Sequence, residues 1–185
     1  NVALILILSL TGIYIVNPFF GEFPGGGGAG HLMGWVRLIH FVSAGVWVAM
    51  SFARVAMLFF SMNPLQRWPA LWPFKSRRDL RNTWKVIKTY LFIDRHAAPV
   101  YVGHNPLQQA AYTGVYLMAV LQVILGFALY AQFHLTSAFW RFMAWPANFL
   151  SIPDLRLWHT MIMFLFWAFL ILHLYLAVRA DSLER

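Results

Sequence analysis

The chain has 185 residues, 61% of them hydrophobic and 11% charged, with 17 Phe and a mean hydropathy of +0.63. A soluble domain of this size could not hide that much apolar surface, so the composition reads as an integral membrane protein. The absence of cysteine excludes disulfides, iron–sulfur clusters and thiolate metal sites of its own, and eight of the 14 Lys and Arg behind the +8 formal charge fall in one loop, which argues against a nucleic-acid face.

The predicted elements follow in chain order. Asn1 leads directly into the apolar run Val2–Val16, short of the roughly 20 residues of a full span. A cleaved signal peptide would not leave such a run at a new terminus, so a cytoplasmic lead-in and the start of this helix are expected to precede it. Helix one occupies about 1–16 and stops at Asn17-Pro18; the next loop carries Phe23-Pro24 and glycines 25–28, an exposed turn and not a phosphate cradle. Helix two is predicted over about 35–60, ending before Asn63-Pro64.

The loop 61–105 holds eight cations (Arg67, Lys75, Arg77, Arg78, Arg81, Lys85, Lys88 and Arg95) against Asp79 and Asp94. That imbalance marks a cytoplasmic loop, and Trp68, Trp72 and Trp84 suit the interface with anionic membrane lipid. A short amphipathic helix is expected near 78–92. Helix three is predicted over about 107–131 after Asn105-Pro106, and an external loop over about 132–153. Helix four is predicted over about 155–179, capped by Asp154 after a proline. The expected fold is therefore all-α: one four-helix transmembrane domain over 1–185, multi-pass in a membrane. Its basic loop and C-terminus face the cytoplasm.

His159 and His173 are fourteen residues apart within 157–178, a stretch with no Asp, Glu, Lys or Arg. Fourteen steps of a helix rise about 21 Å and return to nearly the same face. Polar side chains in a span are rare and usually functional, and two imidazoles on one stripe are what two stacked haems require of a shared helix. His40 and His159 enter their helices from the external side at similar depth, each three residues after an arginine: Arg37-Leu-Ile-His40 and Arg156-Leu-Trp-His159. Such i,i+3 pairs share a face and place the arginine toward the external surface. The duplicated pattern supplies two axial nitrogens and two cations for haem propionates. A single histidine of this kind reads better as bonded to backbone; a matched pair favours haem.

His173 needs a partner at its own depth. The expected lead-in and His104, at the mouth of helix three, are the two candidates, and His104 also suits a quinone site where protons enter from water. His104 as a helix-start residue bonding nearby backbone carries equal weight. Ser43, Ala44, Gly45, Gly12 and Gly126 could admit a flat macrocycle or a neighbouring helix, and both readings stay open. His31, His96 and His134 are expected in loops, solvated, and no clustered donor set favours zinc.

Arg37-Leu-Ile-His40-Phe, Tyr90-Leu-Phe, Gly103-His104-Asn105-Pro106, Gly126-Phe-Ala-Leu-Tyr130 and Trp158-His159 through His173-Leu-Tyr175 resemble the b-type cytochrome subunit of membrane-bound nickel–iron hydrogenases, in order and across the chain. The resemblance implies a four-helix cytochrome with one or two haem b groups. It also implies that hydrogenase small and large subunits are anchored on the external face and that membrane quinone is the electron acceptor. In that family the first helix opens with a histidine in a Trp-His-Trp-like segment, which lies outside this sequence. The cytochrome subunit of formate dehydrogenase has a similar histidine layout and is the alternative. A haem-free structural anchor is a second alternative, and an ion transporter is disfavoured because none of the six acids falls inside a predicted span. On any of these readings the chain alone does not cleave hydrogen.

Overall fold

A computed structural model describes residues 2–19, 29–72, 76–91, 93 and 105–183. All regular structure among them is helical: α1 Val2–Val16, α2 Ala29–Phe60, α3 Trp68–Leu71, α4 Arg77–Tyr90, α5 Pro106–Ala131, α6 Ala138–Met143 and α7 Ile152–Leu183, with 3-10 turns at Pro64–Gln66 and Trp145–Asn148. Three helices are long and apolar enough to cross a membrane, His31–Phe60, Pro106–Ala131 and Ile152–Leu176; α1 is apolar but shorter. Large side chains such as Phe52, Phe60, Leu117 and Ile171 stand exposed on the long helices. Aliphatic and aromatic surface of that kind is stable against lipid, and the chain is an integral membrane protein.

The chain divides into two compact units, Asn1–Ala56 and Met57–Arg185. In the first, Ser9 and Tyr14 of α1 and Ser43 of α2 are buried, and Tyr14 meets Phe19 edge-on at 5.2 Å. In the second, α5 is the hub against which α3, α4, α6 and α7 pack. Leu155, Ile162 and Phe166 of α7 are buried, spaced i, i+7, i+11 on one stripe. Ala128 and Ala131 of α5 are fully buried, and side chains this small let helix backbones approach closely.

The ends of these helices are written in the sequence. Asn105 and Gln108 form a capping box on α5: the Asn105 side chain accepts from Gln108 N at 2.9 Å and Gln108 Oε1 accepts from Asn105 N at 3.0 Å. Ser76 accepts from Asp79 N at 3.2 Å to start α4, with Asp79 in the first turn and Lys88 in the last, as the helix dipole favours. Val86 is the buried residue of α4, while Leu80 and Trp84 stay exposed beside its cations. Tyr90 Oη accepts from Asn105 Nδ2 at 3.1 Å, and Thr113 Oγ1 donates to the Leu71 carbonyl at 3.2 Å. These bonds fix the basic segment to the N-terminal half of α5.

Three expectations need correction. Helix α2 starts at Ala29, so His31 is helical and not in a loop. Nothing in 29–34 stops a helix except glycine, whose cost of ~1 kcal/mol a long apolar helix absorbs. Helix α7 starts at Ile152, with Pro153 in its first turn, where the missing N–H is harmless. Asp154 therefore sits inside that turn, accepting from Ser151 Oγ at 2.5 Å, while its own N–H donates to Ser151 Oγ at 3.3 Å. Thirdly, His134 is half-buried, as described below. Glycines 25–28, Lys75, Asp94, Arg95, His96 and His104 lie outside the described residues.

Candidate functional site

Within the first unit, His40 of α2 turns its ring onto α1. Thr11 Oγ1 lies 2.8 Å from His40 Nδ1, and a Cβ added at Gly12 would come within 3.3 Å of His40 Cε1. Thr11 and Gly12 thus form a notch in a helix built mostly of Leu, Ile and Val, with a hydroxyl at one edge of the ring and bare backbone under another. Thr11 Oγ1 also lies 2.6 Å from the Ile7 carbonyl and 3.2 Å from that of Leu8. One turn on from His40, Ser43 is buried, whereas a Cβ at Gly45 would meet nothing within 4 Å. Of the small residues 43–45, then, Gly45 is not a point of close approach within this unit.

Within the second unit, His159 of α7 makes the equivalent approach to α5. A Cβ at Gly126 would sit 3.0 Å from His159 Cε1 and 3.7 Å from its Nδ1. Gln122, one turn before Gly126 on the same face, brings its Nε2 to 3.4 Å from His159 Nε2. Gln122 Oε1 is buried with no hydrogen-bond partner among the described residues. Such an atom costs ~1–3 kcal/mol, which an apolar helix pair has no structural reason to carry.

One device therefore occurs twice: an imidazole from a long apolar helix resting on a neighbouring helix's glycine, with a polar side chain at the ring edge. Imidazole nitrogens inside apolar helices and without thiolates are a donor set that suits a low-spin haem, and each glycine leaves the room that its imidazole ring takes. Haem b fits these residues. The sequence singled out His40, His159, Gly12 and Gly126 and left the role of the glycines open. Each glycine lies directly against one of the two histidines.

The other candidates lie apart. His173 is exposed on α7, stacked on Phe169 at 5.5 Å and edge-on to Tyr112 at 6.3 Å. Arg37 and Arg156 are exposed on the helices that carry His40 and His159. His134, expected in solvent, stacks on Tyr130 at 4.1 Å and donates from Nδ1 to the Tyr130 carbonyl at 3.1 Å, closing the end of α5. Its i,i+4 spacing from Tyr130 was the available signal. Thr11 and Gln122 were missed altogether; each is a polar side chain within an apolar helix, the feature by which they could have been found.

An all-helical membrane protein whose apolar helices hold histidines against glycines belongs to the class of membrane b-type cytochromes. The description "Prokaryotic cytochrome b561" matches residues 1–185, and the chain belongs to that family. A relative from Escherichia coli (strain K12), named "Probable Ni/Fe-hydrogenase 1 B-type cytochrome subunit", is 32% identical over 186 residues, covering 96% of this chain and 76% of the relative. The "Probable Ni/Fe-hydrogenase B-type cytochrome subunit" of Azotobacter vinelandii is 33% identical over 98% of this chain and 75% of its own length. That of Rhizobium leguminosarum bv. viciae is 32% identical over 100% and 77% respectively. The resemblance seen in the motifs thus holds along the whole chain.

Proposed function

We propose that this chain is the haem b subunit through which a nickel–iron hydrogenase passes electrons to membrane quinone. The names of its relatives support the hydrogenase as partner, and the repeated imidazole-on-glycine contact is the observation that carries the haem assignment. His40 and His159 are axial ligands; the duplicated Arg-x-x-His is the reason to assign both, and Arg37 and Arg156 neutralise propionates. Haem b supplies a one-electron iron couple when bound. The apolar helices keep water from the ligating nitrogens, and Gln122 offers a polar edge beside His159.

On this reading α1 completes a four-helix single domain in the bacterial inner membrane, with the basic loop and C-terminus cytoplasmic. The hydrogenase small and large subunits dock externally, near Phe139 and Trp140 of α6 and Trp145 of the turn that follows it. Aromatics with few charges suit an interface core. His173 holds a second haem, and His104 serves either that haem or the quinone.

The test is the visible spectrum of the purified complex with His40→Ala and His159→Ala. Each substitution should remove a reducible low-spin haem signal while the polypeptide still accumulates in the membrane. A full low-spin complement in either variant refutes that ligand, and a colourless wild-type protein refutes the cytochrome reading in favour of a structural anchor.

A further inference from the structure

The hydroxyl of Thr11 has a single hydrogen, and its surroundings decide where that hydrogen goes. The Ile7 carbonyl, one turn back on the same helix and 2.6 Å away, can only accept, and the Leu8 carbonyl at 3.2 Å is a second pure acceptor. With its hydrogen committed to α1's own backbone, Thr11 Oγ1 faces His40 Nδ1 at 2.8 Å with a lone pair. Two lone pairs at that distance would repel, so Nδ1 bears the proton and donates to Thr11. Neutral imidazole has one N–H; placing it at Nδ1 leaves the lone pair on Nε2.

We infer that Thr11 is a positioning residue for His40: it fixes the Nδ1–H tautomer and the ring plane, presents Nε2 as the ligating atom, and raises its donor strength toward iron. This rests on the reading of His40 as a haem ligand and adds to it a specific control of the ligand. The general physics is that a metal-bound imidazole donates its other N–H to an acceptor, which sets the tautomer and increases ligand basicity. Gly12, next in sequence, removes the side chain that would otherwise push the ring away from this hydroxyl, since a Cβ there would stand 3.3 Å from Cε1. The adjacent pair Thr11-Gly12 therefore acts as one seat for the imidazole, the hydroxyl setting its proton and the glycine its position.

A more basic imidazole favours ferric over ferrous iron, so the hydrogen bond lowers the haem's reduction potential, and its loss raises it. The experiment is a spectroscopic redox titration of the intact haem-loaded protein, comparing wild type with Thr11→Val, which keeps the shape, and Thr11→Ser, which keeps the hydroxyl. Thr11→Val should lower the ferric-to-ferrous ratio at a fixed applied potential about three- to tenfold, roughly 30–60 mV for a one-electron couple. Thr11→Ser should titrate like wild type. If Thr11→Val fails to retain haem, Thr11→Ala replaces it, differing from Thr11→Ser by one oxygen atom; haem held by Ser but not by Ala also supports the assignment. Identical potentials in Val and wild type, or equal losses in Ser and Ala, overturn it. His40→Ala is run beside them: a full haem complement there removes the ligand reading itself, while loss of haem there with an unmoved Thr11→Val potential overturns only the role of Thr11.

Discussion

Replacing Gly126 by alanine tests the closest contact in the candidate site. The new methyl carbon would stand 3.0 Å from His159 Cε1, against the ~3.5–4.0 Å of an ordinary carbon–carbon contact. The imidazole must therefore retreat by about 0.5–1 Å, and overpacking of this kind costs ~1–3 kcal/mol. Against this stands the helix preference of alanine over glycine, ~1 kcal/mol. The net expectation is a loss of up to ~2 kcal/mol, which lowers Tm by at most roughly 4–8 °C for a chain of this size. Gly114 provides the control on the same helix, because a Cβ there meets nothing within 4 Å. Gly114→Ala keeps only the helix preference, so its Tm should rise by about 2–4 °C. Gly12→Ala, at 3.3 Å from His40, should fall between the two. Thermal unfolding of the three variants in one detergent, followed by circular dichroism, orders them. If Gly126→Ala is as stable as Gly114→Ala, His159 does not rest on Gly126 and the contact argument is wrong.

Other substitutions probe the supporting structure. Val86→Ala removes two methyl groups from the buried side of α4 and should cost about 2 kcal/mol, read as faster protease cleavage in 76–91 with the long helices intact. Asn105→Ala deletes one half of the capping box of α5 and its bond to Tyr90; a loss of ~1 kcal/mol is expected in thermal unfolding, with Asn105→Asp retaining most of it. Gln122→Leu replaces a buried amide whose Oε1 has no hydrogen-bond partner among the described residues. Stability should be unchanged or improved, because removing such an atom relieves a ~1–3 kcal/mol penalty. A marked drop in Tm would show that Gln122 is structurally essential.

Helix positions were legible in the sequence wherever a stop signal stood beside an apolar run. Asn17-Pro18 ends α1, and Asn105-Pro106 begins α5 with proline in the first turn, where its missing N–H costs nothing. The start of α7 was placed late because Pro153 was read as a boundary, although proline is favourable in a first turn; α2 was also placed late, since its first residues include Gly30 and Gly34, which a long helix tolerates. The histidines were legible because charge-bearing types are so scarce in these spans that each one stands out. Their neighbours were less so. Gly12 and Gly126 could be marked as sites of close approach, but which side chain approaches depends on how two helices are rotated about their axes. Periodicity fixes that rotation only when one face is polar, and in α1, α5 and α7 both faces are apolar. Thr11 and Gln122 passed unnoticed for the same reason.

The stretch 157–178 of α7 has a consequence for the membrane around it. Its 22 residues rise about 33 Å, a few ångströms more than the ~30 Å hydrocarbon layer of a typical bilayer. Arg156 precedes the stretch and prefers the headgroup layer, which holds that end of the helix at the membrane surface. The helix contains no glycine, and its single proline lies in the first turn, so nothing in its length invites a kink. Hydrophobic mismatch is then met by leaning the whole helix or by thickening the lipid beside it. Because His159 and His173 ride on this one rod, a change in acyl-chain length tilts both imidazoles together and keeps their separation along the helix constant.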